Sequence, residues 1–568
     1  MDRRMLPAMA VGLLLVMLWY MVGVPAIWGP QQTTPPQQPP PVDDEGQTPT
    51  PPPENGQEVA PVPPDPTLPS EAAETRTVTF GNLELTFSNV GAKIAEMKLI
   101  DSGIDLSPPD QGAFVLRHPA TGDNLEGRGW KMTATDNAVA FEIAAANGLI
   151  ARKTFTPGPT PDQWQVTIEI QNPTDAAKPF VGAVDVFAGI EHDGNYRYEN
   201  YIKAMAQEGR ALRVYGYDKD KKQLETPQAA TLEWFGLKNR YFIVATWPAE
   251  EADRDRWLEL VLEPRELDSR NPNGHPPEKR QNVAAGVRLN ALSVEPGQTA
   301  TIRFDAYAGP LKEGRLPEKL GDPDTVIDWT GFDGIGHLLI WLIGLFKNVN
   351  WGVGIMIATL LVRIVIAPLS IKSQSSMMKM SEMMKKLKPQ LDALRERHKD
   401  DPKAFQEEQF ALMRKEGFNP VSQMGGCLPM FVQFPIFIGM YSVLDLAVDL
   451  RQQPFVGWIT DLSQPDRLIP FSTPVAFPCL FFDVYMDAIN LLPILMGITW
   501  TIQSFLTPMT ATDPQQVQMQ KMMRYMPILF VVFCYNLASG LSLYFFVNSL
   551  LSIIETKFVR NRFIKPQS

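Results

Sequence analysis

The stretch Ile355–Leu369 reads IMIATLLVRIVIAPL: fifteen residues apolar enough for a lipid interior, with Arg363 near the middle. On insertion scales an arginine at the centre of a membrane helix costs about 2.5–3.5 kcal/mol. Its pKa above about 12 closes deprotonation as an escape. Either Arg363 faces something other than lipid, or the stretch does not span. The rest of the chain bears on that choice.

Working outward, apolar runs of membrane grade cover about 350–370, 425–447, 489–508 and 522–556. Residues 334–350 (GIGHLLIWLIGLFKNVN) are apolar but short and interrupted by Gly344, which predicts a helix lying in the interface rather than a span. Residues 465–488 are aromatic and broken by proline, again interfacial in character. Basic residues crowd 371–420, from Lys372 to Lys415. They recur at Lys521 and Arg524, and in the tail at Lys557, Arg560, Arg562 and Lys565. By contrast 448–488 holds Arg451 and Arg467 against five aspartates. The positive-inside rule therefore assigns the basic segments and both termini to the cytoplasm. A single crossing by 522–556 would strand the basic tail outside, so that run is expected to break near Asn536–Gly540.

At the N-terminus, Arg3 and Arg4 precede an apolar run to about Ile27. This is a cleaved signal peptide or an uncleaved anchor, the anchor being favoured because the run is about long enough to span. In both readings the residues downstream of it are exported. Residues 29–75 are proline-dense and read as an extended linker. Beyond them TRTVTFGNLELTFSN, DQWQVTIEIQNP and QTATIRFDAYAGP alternate apolar and polar residues between Gly, Asn and Pro breaks. Period two with such punctuation predicts antiparallel strands, hence an exported β-sandwich over 76–325.

The fold expected is a polytopic α-helical membrane protein with six transmembrane helices. Its order is an anchor (1–28), the linker, the β-domain, an interfacial amphipathic helix (330–348) and a second span (349–370). A cytoplasmic helical hairpin (371–420), a third span (424–447) and a periplasmic loop (448–488) come next. Then come a fourth span (489–508), a cytoplasmic loop (509–521), a fifth span (522–537), a turn (538–540), a sixth span (541–556) and a cytoplasmic tail (557–568). In the hairpin Met380, Met384, Leu387, Leu391 and Leu394 recur at 4-3-4-3 spacing, a coiled-coil seam, with Pro389 as a candidate kink. Met377, Met378 and Met383 near its membrane end suit contact with varied apolar clients, with Lys385 and Lys386 beside them. Ordinary packing and a solvated basic face explain the same residues.

The formal net charge is −11, which argues against a nucleic-acid binder. A mean hydropathy of −0.12 averages a polar half with a strongly apolar one. Cys427, Cys479 and Cys534 stand far apart and form neither a metal motif nor a disulfide framework. No P-loop, other nucleotide motif or cofactor signature is present.

The segments NPVSQMGGCLPMFVQFPIFIGMYSVL (419–444), LRQQPFVGWITDLSQPD (450–466), LLPILMGITWTIQSFLTP (491–508), TDPQQVQMQKMMRYMPILF (512–530) and SGLSLYFFVNSLLSII (539–554) resemble, in order, the membrane part of the YidC/Oxa/Alb insertase family. The anchor, linker and β-domain before them are similar to those of the family's Gram-negative members, whose external domain has a β-supersandwich fold resembling sugar-binding mutarotase domains. The resemblance implies a membrane protein insertase and chaperone of the bacterial inner membrane, not an enzyme. Its partners would be nascent membrane proteins, the Sec translocon, the ribosome, the signal recognition particle and the bilayer. It implies no nucleic-acid contact beyond the ribosome. It also implies that Arg363 sits in a hydrophilic groove open to the cytoplasm, with Thr359 one turn before it. Gln433, Thr499, Thr501, Gln503, Ser542, Tyr544, Asn548 and Ser549 are polar residues of other spans that could line such a groove, although polar side chains often only join neighbouring membrane helices.

Two other readings stay open on residues alone. An intramembrane arginine with polar neighbours suits a solute or anion transporter or channel, though no internal repeat supports one. The β-domain, with His118, His192, His275 and the stretch IEHDGNYRYEN (190–200), could be a carbohydrate-active enzyme, but no spacing fixes a metal or an acid/base pair. A docking platform is preferred to catalysis there.

Overall fold

The computed structural model describes residues 72–564 apart from 110, 119–124, 193–201, 219–223, 225, 227–230, 270–277, 313, 322–325, 328–332, 399–401, 416–427, 480–481 and 508–513. The expected anchor, nearly all of the linker, His275, residues 193–200 of IEHDGNYRYEN and the 419–427 part of the first family segment lie outside the described residues. The chain divides into two compact units between 328 and 329.

The first unit is β-sheet. Eight strands form one antiparallel sheet, in the order Thr75–Phe80, Leu83–Ser88, Lys93–Leu99, Ala113–Arg117, Ala183–Phe187, Glu278–Leu289 and Trp257–Ser269, with Ile104–Asp105 paired to Lys93–Leu99. Nine form the other: Ala211–Tyr215, Lys203–Glu208, Leu232–Lys238, Phe242–Pro248, Thr299–Pro310, Gln163–Gln171, Ile150–Pro157, Ala138–Ala144 and Lys131–Thr135. The alternation seen in sequence sets the faces. In Gln163–Gln171 the residues Trp164, Val166, Ile168 and Ile170 are fully buried, and the residues between them are more open. Aromatic rings of the two sheets meet: Phe87 lies 5.0 Å from Phe155, and Phe114 lies 6.2 Å from Trp164 and 5.8 Å from Phe304. Two sheets whose inner faces share one aromatic core make a sandwich.

One inward position is not apolar. Lys153, on Ile150–Pro157, is fully buried, and its Nζ donates to the carbonyls of Ala92 (2.9 Å) and Phe114 (2.5 Å). Burial pulls its pKa down to about 7. The ammonium thus ties one sheet to the other.

The second unit is helical: α1 (Asp333–Gly344), α2 (Trp351–Arg397), α3 (Pro402–Lys415), α4 (Leu428–Leu446), α5 (Leu491–Leu506), α6 (Pro514–Phe533) and α7 (Ser539–Ile564). Among the described residues α2 and α7 are long and apolar enough to cross a membrane, and apolar stretches of α1, α4 and α5 are shorter. Helix length therefore does not give the count of six spans. Helix α2 runs without interruption through Pro368 and Pro389. The aromatic, proline-broken stretch after 465 is a two-stranded hairpin, Ile469–Cys479 with Phe482–Ile489, whose register slips between Pro470 and Val475. Its prolines hid it in the sequence, since proline cannot donate to a ladder.

Large apolar side chains point outward on this unit, among them Leu360, Leu361, Ile364 and Val365 on α2, and Ile528 and Leu529 on α6. Among the described residues of the β unit the corresponding exposed ones are Ile100 and Leu258.

Candidate functional site

Three helices begin on one side of the helical unit, and one segment holds their starts together. Gly540 N and Ser539 N, at the start of α7, donate to the carbonyls of Leu462 (2.8 Å) and Gln464 (2.7 Å). Ser539 Oγ donates to Asp461 O at 2.8 Å. The Asp466 carboxylate accepts from Leu491 N (2.8 Å) and Leu492 N (3.1 Å), the free amides that open α5, and from Trp458 Nε1 (2.8 Å). Asn350 caps α2 through Gly352 N and donates to Pro454 O at 2.9 Å. A carboxylate or amide oxygen at a helix start satisfies orphan N–H groups and suits the helix dipole. Residues 450–466 are thus a cap over one end of α2, α5 and α7.

Below the cap lies an apolar cluster. Ile355 and Ala358 of α2, Met440, Val443 and Leu444 of α4, Leu492 and Met496 of α5, and Leu541 of α7 form one buried cluster. Thr359 is buried there with its hydroxyl turned back onto Ile355 O at 2.6 Å, and Thr499 likewise donates to Leu495 O and Met496 O. Neither hydroxyl is offered to a recess. This is ordinary intrahelical bonding of the kind membrane helices use.

Arg363 marks the change. It lies twelve residues after Trp351, the first residue of α2, about 18 Å along the helix at 1.5 Å per residue. Its Nε donates to Asn548 Oδ1 at 2.7 Å and its Nη2 to Asn548 O at 3.2 Å. Its Nη1 lies 3.8 Å from Glu555 Oε2, with the two side chains 15% and 11% exposed. Glu555 Oε1 accepts from Gln374 Nε2 (3.2 Å), which also donates to Ser370 Oγ (3.1 Å). Gln433 Nε2 of α4 donates to the buried Tyr544 hydroxyl at 3.1 Å. Gln503 Nε2 of α5 donates to Ser552 Oγ at 2.6 Å. Helix α7 is the common wall. Tyr544, Asn548, Ser552 and Glu555 fall within about 80° of its circumference at 100° per residue; Tyr544 meets Gln433, Ser552 meets Gln503, and Asn548 and Glu555 both meet Arg363. Ser542 Oγ is buried with no hydrogen-bond partner among the described residues. On the far side of Arg363 from the cap, the buried positions of α2 include the polar Ser370, Ser373 and Ser381, among Ile366, Met378 and Met384.

Of the expected groove residues, the structure joins Arg363 to Asn548 and Gln433 to Tyr544, sets Gln503 on the same helix face, and leaves Thr359 and Thr499 bonded to their own helices. Glu555 was missed. An acid inside the run 541–556 was a signal that sequence alone supplied, because an ionisable residue in a span calls for a partner. In the hairpin, Met384, Leu387 and Leu391 pack with Met380, Met383 and Leu412. Lys385 and Lys386 are both exposed. Met377 is half-buried, whereas Met378 is buried and is not displayed to a client.

Two family models match this chain. One is described as 60Kd inner membrane protein, over 341–566, and the other as YidC periplasmic domain, over 76–342. A relative from Syntrophobacter fumaroxidans is 30% identical over 431 residues, 74% of this chain and 70% of its own. The chain belongs to the YidC family. Another relative, from Vibrio cholerae, is 27% identical over 531 residues, 86% of this chain and 87% of its own. One from Nitrosospira multiformis is 33% identical over 338 residues, 59% and 51%. All three are named membrane protein insertase YidC. A galactose mutarotase related enzyme from Lactobacillus acidophilus matches 43% of this chain and all of its own at 9% identity and a TM-score of 0.32, too low to carry an argument. The family makes this chain an inner-membrane protein whose β-sheet unit is periplasmic.

The two described histidines of that unit, His118 and His192, are packed into it. His118 stacks on Phe180 at 4.6 Å, with Nδ1 2.7 Å from Val181 O. His192 is buried with Nε2 3.1 Å from Gln281 O, and burial beside Arg280 pulls its pKa down to about 4. Among the described residues no group of His, Cys, Asp and Glu could hold a metal.

Proposed function

We propose that this chain, a membrane protein insertase and not an enzyme, moves a client's polar flank through a half-deep recess at Arg363 and releases the apolar segment sideways into lipid. One observation carries the reading: from the cap down to Thr359 the packed face of α2 joins an apolar cluster, whereas from Arg363 onward it also carries Arg363, Ser370, Ser373, Gln374 and Ser381, interspersed with Ile366 and Met378. A flank entering from the polar end meets only the capped half of the barrier. Arg363 attracts its acidic residues, and poor screening strengthens that attraction. Gln433, Gln503, Ser542, Tyr544 and Asn548 line the recess in this reading, with Thr359 and Thr499 closing its dry end. The exposed apolar faces of α4 and α6 give the exit, and burial in lipid drives release at about 25 cal/mol per Å².

The topology proposed is six spans with both termini cytoplasmic, α1 in the interface, and 450–466 on the periplasmic side. The shared start of α2, α5 and α7 under one cap supports it, as do the basic residues at their other ends. The hairpin, through Lys385, Lys386, Met377 and Met383, receives the client or the ribosome. The Sec translocon and the signal recognition particle complete the proposed partners, on family grounds.

The test is reconstitution in liposomes beside translation of a single-span client with an acidic translocated tail. Protease protection of that tail with the wild-type chain, and its loss in Arg363→Ala, is the expected result. Equal protection in both overturns the role of Arg363. Solute flux instead of protection overturns insertion itself.

A further inference from the structure

Glu555 has no part in that scheme, yet it is the carboxylate paired with Arg363. We propose that Glu555 is the resident counter-anion of Arg363, holding the place that a client's acidic residue must take, and so setting which flanking charges the recess admits. The inference rests on the insertion reading above.

The geometry separates two tasks. Asn548 holds the guanidinium with two hydrogen bonds, at 2.7 and 3.2 Å, through Nε and Nη2. Glu555 stands 3.8 Å from Nη1, beyond the 2.7–3.2 Å typical of an N–H···O bond. It therefore supplies charge without fixing position. Nη1 can turn to another acceptor, and Arg363 keeps its seat when Glu555 moves away. Glu555 also has a second holder, Gln374, itself bonded to Ser370 towards the polar end. With both side chains mostly out of water, leaving either charge alone is costly, so the pair keeps the empty recess near neutral. A client carboxylate approaching Nη1 replaces Glu555, which is held by Gln374. Acidic flanks are then drawn less strongly than by a bare arginine, and basic flanks are not turned away.

The experiment uses the full chain in proteoliposomes and three clients with the same span, whose translocated tails carry two aspartates, no charge or two lysines. Glu555→Gln keeps size and an acceptor for Gln374. It is expected to raise insertion of the aspartate tail roughly threefold to tenfold, the range of a partly buried pair. It should lower insertion of the lysine tail by a similar factor and leave the neutral tail unchanged. Arg363→Ala leaves Glu555 uncovered and depresses the aspartate tail; adding Glu555→Gln to it recovers part of that loss. Glu555→Asp keeps the charge and the wild-type order of preference. The proposal is overturned if Glu555→Gln shifts all three clients alike or none of them, or if Glu555→Asp behaves as Glu555→Gln does, while Arg363→Ala still discriminates. If Arg363→Ala handles every client as wild type does, the role given to Arg363 in the insertion reading has failed, and the inference falls with it.

Discussion

Lys153 and Arg363 are both cations taken out of water, one in the β unit and one in the helical unit, and the chain treats them differently. Lys153 is held by two carbonyls, and its pKa falls to about 7, so near neutrality it sheds its charge as readily as it keeps it. Arg363 has no such exit. It is given Asn548 for position and Glu555 for charge, both from a helix that arrives late in the chain. The lesson concerns residue choice. A lysine suits a buried joint between two sheets because it becomes a neutral donor. An arginine suits a site that must stay charged at every pH the cell offers.

Exchanging the two residues tests that lesson most severely. Lys153→Arg places a guanidinium that cannot deprotonate beside the Trp130 ring and the Phe114 carbonyl. The β unit should lose about 3–5 kcal/mol, the cost of an unpaired buried charge, read by urea-dependent pulse proteolysis of the whole chain. Unchanged resistance would show that water reaches Nζ. Arg363→Lys comes next. One ammonium cannot bridge Asn548 Oδ1 and Asn548 O as the fork does, so insertion of an acidic-tailed client should fall roughly tenfold, the worth of a lost charged hydrogen bond. The remaining activity should decline further as pH rises and the lysine empties, whereas wild type stays flat.

The pH dependence of the β unit is a smaller effect with a definite sign. Lys153 titrates at about 7 when folded, against an ordinary value of 10.5. Between those values the unfolded chain binds the extra proton, so stability rises with pH across that window and levels off below it. Lys153→Met should remove that slope, and a slope that persists would assign it to other groups. Smallest is Arg152→Ala on the adjacent, outward position, where the exposed pair with Glu142 should contribute under about 1 kcal/mol. A larger loss would mean that outward and inward positions of that strand are not as distinct as burial makes them.

The strands were legible because period-two burial acts on every residue: Trp164, Val166, Ile168 and Ile170 announce one face. Lys153 broke that pattern. A charged letter reads as solvated, and only the facing carbonyls of Ala92 and Phe114 give it reason to be inside. In the helical unit the same limit appears in reverse. Arg363, Gln433, Gln503, Tyr544 and Asn548 stood out as polar letters in apolar runs. Which of them meet was not legible, since helix faces pair through tertiary packing that no spacing encodes. Thr359 and Thr499 looked like lining and are bonded to their own helices. Glu555 was passed over because it sits where the apolar run gives way to Lys557 and the basic tail. The cap was hidden for a simpler reason. Its bonds use the backbone of Leu462 and Gln464, which any residue could supply.

The bond between Arg363 and Asn548 joins residues 185 positions apart. At about 5–20 residues per second of synthesis, Arg363 is made roughly ten to forty seconds before the side chain that steadies it exists. Through that interval the helix carrying it is a nascent membrane segment with an uncompensated charge. The same holds for the cap, which cannot tie down α7 until α7 has been made. This machine begins its own life as a difficult passenger, in need of the shelter it later offers.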